Sequence, residues 1–204
     1  MADHRHAEYD DYVEGYREAQ NRQIALSGET ADFFAEYKVG KLAAWLPEFV
    51  RRPAAILDYG CGDGLMTSFV PRYFPGASVR GIDPSAKSIA RAEARHPGIM
   101  FACVQEARLP LPERSMDVIF ASGVFHHIPF AEHGAHVGEI FRVLKPAGAF
   151  VLFELNPFNP FSAFVFLRSP FDRNAKLMFP TYARQLLRPF GSVSVKYCSF
   201  FPAV

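Results

Sequence analysis

The nine residues Ile56-Leu57-Asp58-Tyr59-Gly60-Cys61-Gly62-Asp63-Gly64 constrain this chain more than any other stretch. A short apolar run, Ala54 to Leu57, predicts a buried strand, and three glycines at alternate positions follow within one tight turn. Leu65, Met66, Phe69, Val70 and Tyr73 then recur at helical spacing, so the stretch reads strand, glycine turn, helix. A turn without Cβ atoms lets the backbone approach a ligand closely. The helix that opens beyond it presents N–H groups to a polar or anionic group.

The same alternation continues downstream. A second strand, Ser78 to Ile82, runs into Asp83-Pro84-Ser85, which places Asp83 19 residues past Gly64. An acid at that offset, at a strand tip, suits the two hydroxyls of a nucleotide ribose. Asp83 is also a candidate N-cap for the helix that runs to Arg95, a task that Ser85 can perform instead. A third strand spans Ile99 to Val104 and leads into Gln105-Glu106-Ala107-Arg108-Leu109-Pro110. A fourth, Met116 to Ala121, leads into Ser122-Gly123-Val124-Phe125-His126-His127-Ile128-Pro129. A helix follows with Val137, Ile140, Phe141 and Leu144 on one face, then a Lys145-Pro146-Ala147-Gly148 turn and a fifth strand, Ala149 to Leu155. Upstream, Leu42, Trp45, Leu46 and Phe49 mark one helical face, while residues 1–31 are polar and predict one or two weakly amphipathic helices. Strands alternating with helices imply a parallel sheet covered on both faces, with ligands at the carboxyl ends of the strands.

The glycine spacing is G-x-G-x-G, not the G-x-G-x-x-G of dinucleotide-binding turns. With Ile56-Leu57-Asp58 before it, the stretch resembles the first motif of class I S-adenosylmethionine (SAM)-dependent methyltransferases, V/I-L-D-x-G-C-G-x-G. Ser115-Met116-Asp117 and Leu144-Lys145-Pro146-Ala147-Gly148 resemble that family's S-F-D-x-V and L-K-P-G-G patterns, so the resemblance covers about residues 32–156. It implies an α/β fold: a Rossmann-like, doubly wound, mostly parallel sheet. It also implies SAM as cofactor and S-adenosylhomocysteine as product. The cofactor would be held by Asp58, Gly60, Cys61, Gly62 and Gly64 at its methionine end. Asp83 and Pro84 would lie at the ribose, with Gln105, Glu106 and Ser122 around the adenine. The family has an acid where Gln105 stands; an amide there accepts from an exocyclic amine and donates to a ring nitrogen. Because SAM brings an activated methyl group, the protein mainly aligns the two reactants, and a base is needed only where the acceptor loses a proton. His126 and His127 are the candidate catalytic residues, since a neutral imidazole is a competent base near pH 7, and Glu154 ranks below them.

Composition narrows the remaining choices. The 204 residues suit a single domain: an N-terminal helical cap at 1–50, a SAM-binding core at 54–155, and a substrate-side and C-terminal segment at 156–204. Net charge is +1 with no Lys/Arg block, which argues against a nucleic-acid partner. No apolar run is long enough to span a membrane, and Met1 to His6 has no signal-peptide character, so a cytoplasmic location is expected. Cys61, Cys103 and Cys198 are scattered, which argues against a disulfide framework and a metal site.

After the fifth strand, Asn156-Pro157-Phe158-Asn159-Pro160-Phe161 is turn-rich, and Phe164 to Leu167 with Phe171 add apolar bulk. Together with Pro170-Phe171-Asp172, this segment resembles a methyltransferase subgroup acting on small or lipid-like acceptors. Thr181 is the expected N-cap of a last helix, Tyr182 to Arg188, and Ser192 to Phe201 alternates as a sixth strand. The family sheet has seven strands in the order 3-2-1-4-5-7-6, so this reading lacks the last one. It leaves an open apolar edge at Phe150-Val151-Leu152-Phe153. Three outcomes follow: the 192–201 segment moves beside strand five, a second subunit completes the sheet as a homodimer, or the chain is truncated. A non-catalytic SAM-binding scaffold and a nicotinamide-dependent oxidoreductase are the competing functional readings.

Overall fold

The computed structural model describes residues 28–160, 166, 167 and 175–198. A first helix, α1 (Ala31–Trp45), continues into a 3-10 turn at Leu46–Glu48 and leads to β1 (Ala55–Tyr59). Then come α2 (Leu65–Tyr73), β2 (Ser78–Asp83), α3 (Ala86–Arg95) and β3 (Met100–Cys103). After β4 (Met116–Ser122) lie a 3-10 turn at Phe125–His127, α4 (His133–Val143) and β5 (Leu144–Phe153). The last described elements are α5 (Pro180–Leu186) and a 3-10 turn at Arg188–Phe190.

The five strands form one sheet in the order β3-β2-β1-β4-β5, every pairing parallel. Alternation along the central strands explains the two covered faces. Ile56 of β1 and Val118 and Phe120 of β4 pack under Val39, Leu42 and Val70 of α1 and α2. Leu57 and Tyr59 of β1 and Ile119 and Ala121 of β4 face Val137, Ile140 and Val143 of α4. A period-2 strand buried on both faces must be apolar at nearly every position, as these are. Asp58 is the exception in β1, and it lies at the end where the ligand is expected.

Several local expectations are corrected. The buried side of α1 is Ala31, Ala35, Val39 and Leu42, continued by Leu46, while Phe49 is 48% exposed. Of the two residues left open as the cap of α3, Ser85 takes the position, its side chain accepting from Ser88 N. Phe179 occupies the N-cap position of the last helix without a side-chain cap, with Pro180 in its first turn, so Thr181 lies inside the helix. Pro180 suits that position because its missing N–H would have had no partner there. Of the helical face expected after β4, Phe141 is 51% exposed and Leu144 already belongs to β5.

The Lys145-to-Gly148 turn exists, but inside β5. Met116 pairs with Leu144 and Val118 with Ala149, so residues 145–148 bulge out opposite Asp117. Ala147 takes φ 63° there, and a Cβ on Gly148 would stand 2.9 Å from the Lys145 carbonyl oxygen. Asp117 ties the bulge to the start of β1. One oxygen accepts from Ala54 N and Ala55 N, each at 2.9 Å, and the other from Lys145 Nζ at 2.9 Å.

The sixth strand is not present at 192–198, and residues 199–201 lie outside the described residues. Lys196 instead bonds Glu48 at 2.8 Å and sits over the Trp45 ring, which keeps this segment beside α1. Among the described residues β5 pairs only with β4. Its aromatic side chains are nonetheless covered, Phe150 by Phe125 and Phe190, and Phe153 by Trp45. No helix among the described residues is long and apolar enough to cross a membrane.

Candidate active site

The strand tips of β1, β2, β4 and β5 converge on one region. Gly60, Gly62 and Gly64 have φ of 78°, 55° and 79°, the left-handed conformation that favours glycine. The turn is fastened to the second strand: Gly60 N and Cys61 N both donate to Ile82 O, at 2.8 and 2.9 Å. Gly62 also donates to Asp83 Oδ2 at 2.9 Å, and Asp83 Oδ1 accepts from Ser85 N at 2.9 Å. Asp83 therefore joins the glycine turn to the start of α3. A carboxylate oxygen has two lone pairs and can serve more than one donor. A Cβ at Gly62 would meet nothing within 4 Å, so this side of the turn is open.

Gly60 is different, because a Cβ there would stand 2.4 Å from Val124 Cγ2. The turn after β1 thus packs directly on the turn after β4. Gly60→Ala is expected to combine a left-handed alanine with this clash, at about 1–2 kcal/mol of stability. Thermal unfolding checks the stability, and S-adenosylhomocysteine titration checks whether the turn still binds.

Asp58 is 2% exposed and accepts from Thr67 Oγ1 at 2.6 Å. Burial raises its pKa to about 7, opposed by the Thr67 hydrogen bond, with Asp83 adding to the rise and Lys38 working against it. The folded pKa lies above the unfolded one, so the native state holds an extra proton between them. Stability contributed by Asp58 is therefore full below about pH 4 and falls by about 1.4 kcal/mol per pH unit until about pH 7. Asp58→Asn should flatten that part of the stability–pH curve; denaturant midpoints measured from pH 4 to 8 check it.

Lys38 has no counterpart in the sequence reading. It comes from α1, one residue before the buried Val39, and its Nζ donates to Ser122 Oγ at 2.8 Å. Burial lowers its pKa, opposed by the charges of Glu154, Asp58 and Cys198. One detectable signal existed, a lysine within a helix turn of Ala35, Val39 and Leu42, on the side that faces the sheet.

Phe125 to His127 form the turn beside β5. His126 is 6% exposed, and its Nδ1 lies 2.6 Å from Glu154 Oε2, while Glu154 Oε1 accepts from Phe125 N at 2.9 Å. A carboxylate at Nδ1 requires the proton on that nitrogen, which leaves the lone pair of the neutral ring on Nε2. His127 lies against His126 with centroids 4.1 Å apart and planes 47° apart, and Phe166 meets His126 in a T-shaped contact. Glu154, placed below the two histidines in the sequence analysis, is thus the direct partner of His126.

The structure does not bring all the expected cofactor residues together. Gln105 and Glu106 are exposed after β3, whereas Ser122 is at the end of β4, three strands away in the sheet. At about 4.8 Å per strand the separation is roughly 14 Å, so Ser122 belongs with Lys38 rather than with the other two. Pro84 follows Asp83 directly, and its carbonyl oxygen accepts from Cys103 Sγ at 3.4 Å. Cys61 is buried, and burial pushes its thiol far above the usual range, which suits packing and not nucleophilic attack. Among the described residues no cluster of three or more His, Cys, Asp or Glu side chains has the placement to hold a metal ion. Pro170-Phe171-Asp172, Phe161, Phe164 and Val165 lie outside the described residues.

Comparison with known proteins agrees with this geometry. Residues 57–152 match the family model described as a methyltransferase domain. A trans-aconitate 2-methyltransferase of Methylobacterium radiotolerans is 35% identical over 96 residues, 47% of this chain and 36% of that protein. A ubiquinone biosynthesis O-methyltransferase of Bradyrhizobium is 37% identical over 105 residues, 50% of this chain and 40% of that protein. The chain thus spans well under half the length of either relative. A SAM-dependent methyltransferase from Archaeoglobus fulgidus shares the fold with a TM-score of 0.62 at 19% identity, over 77% of this chain and 68% of that one. In its parallel sheet, its glycine turn and residues 57–152, the chain is similar to the SAM-dependent methyltransferases.

Proposed function

We propose that the chain transfers a methyl group from SAM to a small-molecule acceptor at the tips of β1, β2, β4 and β5. The observation that carries this reading is the joint made by Asp83: its carboxylate holds Gly62 N while that face of the turn stays open. The donor set also fits the two ends of the cofactor. Asp83 presents acceptor lone pairs to ribose hydroxyls, and the Lys38 ammonium, already donating to Ser122, suits the carboxylate of the methionine end. Gln105 and Glu106 remain the residues for the adenine edge, while Ser122 serves the methionine end. SAM bound there supplies the activated methyl.

The acceptor side is the turn bearing His126 and His127. His126 receives the acceptor's proton on Nε2, and Glu154 holds the ring and balances its positive charge. Phe166 and the segment after β5 supply the apolar wall. The whole chain acts as one domain in the reducing cytoplasm, without a nucleic-acid partner. A homodimer through the outer edge of β5 is consistent with the absence of a second partner strand among the described residues. Mass in solution tests that association.

Calorimetry with SAM, S-adenosylhomocysteine and NAD tests the cofactor, and binding of NAD alone would reverse the reading. Methyl transfer from labelled SAM to a panel of small hydroxyl, amine and thiol compounds tests the reaction; SAM binding without turnover would favour a scaffold. His126→Ala should lower kcat by about 10²–10⁴-fold if the imidazole takes the proton. Undiminished turnover in that variant removes the base role.

A further inference from the structure

Helix α4 turns four polar side chains toward the rest of the fold. His136 meets Tyr59, and Glu139 and Arg142 clamp Leu109 and Leu111. His133, at the first position of the helix, is 0% exposed and reaches the turn that carries His126. Its Nε2 lies 2.9 Å from Phe125 O and 3.0 Å from Ile128 O. Its Nδ1 lies 3.0 Å from Tyr182 Oη, on α5.

We propose that His133, held in one tautomer by Tyr182, is a positioning residue for His126. Two carbonyl oxygens can only accept, so Nε2 carries the proton and donates to both. Nδ1 is then the acceptor for the Tyr182 hydroxyl. The two carbonyls flank His126 and His127, so a single buried ring spans the catalytic turn. Glu154 grips the same turn from the other side, through Phe125 N and His126 Nδ1. Lys176 N donates to His126 O at 3.0 Å and gives a third point of attachment. Tyr182 is itself fixed by stacking on Phe130, with centroids 4.8 Å apart and planes 9° off parallel. Loss of the His133 donor takes this buried partner from the Ile128 carbonyl, while Phe125 O keeps only Ile128 N at 3.0 Å. The turn then relaxes, and the short His126–Glu154 contact is the first thing that moves. Through this chain α5, far from the glycine turn in sequence, orients the acceptor-side histidine.

The proposal rests on His126 serving the reaction, but its test does not require turnover. The readout is solvent exchange of the His126 Nδ1 proton, followed by NMR in the full chain with S-adenosylhomocysteine bound. His133→Ala should speed exchange by about tenfold and Tyr182→Phe by a smaller factor, since each removes a buried hydrogen bond that braces the turn. His133→Gln, whose amide can donate to both carbonyls, should recover part of the protection. Glu139→Gln, on the same helix but facing the Leu109 loop, should leave this proton unaffected. If His133→Ala does not fold, Tyr182→Phe, which deletes one oxygen, carries the test. Unchanged exchange in a folded variant that still binds S-adenosylhomocysteine would overturn the positioning role. Full turnover by His126→Ala, by contrast, would remove the base assignment and leave the exchange result standing.

Discussion

Replacement of Lys38 by methionine is expected to weaken S-adenosylhomocysteine by about 1.5–3 kcal/mol, roughly ten- to hundredfold, the scale of a hydrogen bond to a charged group. Methionine keeps the apolar stem and loses the ammonium that donates to Ser122 Oγ at 2.8 Å. The same ammonium neutralises part of the charge of Glu154 and Asp58. Its removal leaves these acids less compensated, so the variant tests two linked effects. They separate with 5′-methylthioadenosine, which lacks the amino-acid tail. If Lys38 holds the carboxylate, that ligand binds both proteins alike while S-adenosylhomocysteine discriminates between them. Equal weakening of the two ligands would instead assign Lys38 to the support of the strand tips, and unchanged binding of both would take it out of the site.

Asp83→Ala should weaken S-adenosylhomocysteine by about 1–3 kcal/mol and free adenosine by a comparable amount if, as proposed, Asp83 holds the ribose that both share. The carboxylate has a second task here, since it accepts from Gly62 N and Ser85 N at 2.9 Å each. Alanine frees both amides and loosens the joint between glycine turn and α3. Asp83→Asn separates the two tasks. Its side-chain oxygen still accepts one of these N–H groups, while the negative charge presented to the ribose is gone. A calorimetric series of wild type, Asn and Ala therefore divides the loss between charge and scaffold. Affinity that does not change in either variant removes Asp83 from the ribose site.

The parts of this protein that were legible in its sequence are those governed by local rules. Glycines at 60, 62 and 64 are needed because each adopts positive φ, and that requirement shows in the chain itself. Both-face burial makes β1 and β4 apolar at successive positions, so a parallel sheet covered on both faces could be read directly, while its strand order came only with the family resemblance. The positions of Asp83 and the His126–His127 pair could be read because Asp83 ends β2 and the histidines follow β4, and strand tips are where such folds gather ligands. Boundaries governed by a single competing interaction were less legible. Pro180 displaced Thr181 as the first-turn residue, and the pairing of Val118 with Ala149 drew the Lys145–Gly148 turn into a bulge.

What only the tertiary structure decided are the pairings that cross the chain. Lys38 meets Ser122 from 84 positions away, Tyr182 meets His133 from 49, and Glu154 meets His126 from 28. None of these has a periodicity or a spacing to announce it. Each depends on which helix covers which face and on where strand order places neighbours that are distant in sequence. The separation of Ser122 from Gln105 has the same origin: both follow strands, but β2 and β1 lie between those strands in the sheet. Local chemistry in the sequence determined that a glycine turn, an acid and two histidines stand at strand ends. The packing of α1, α4 and α5 onto that sheet decided which charges and hydrogen bonds act on them.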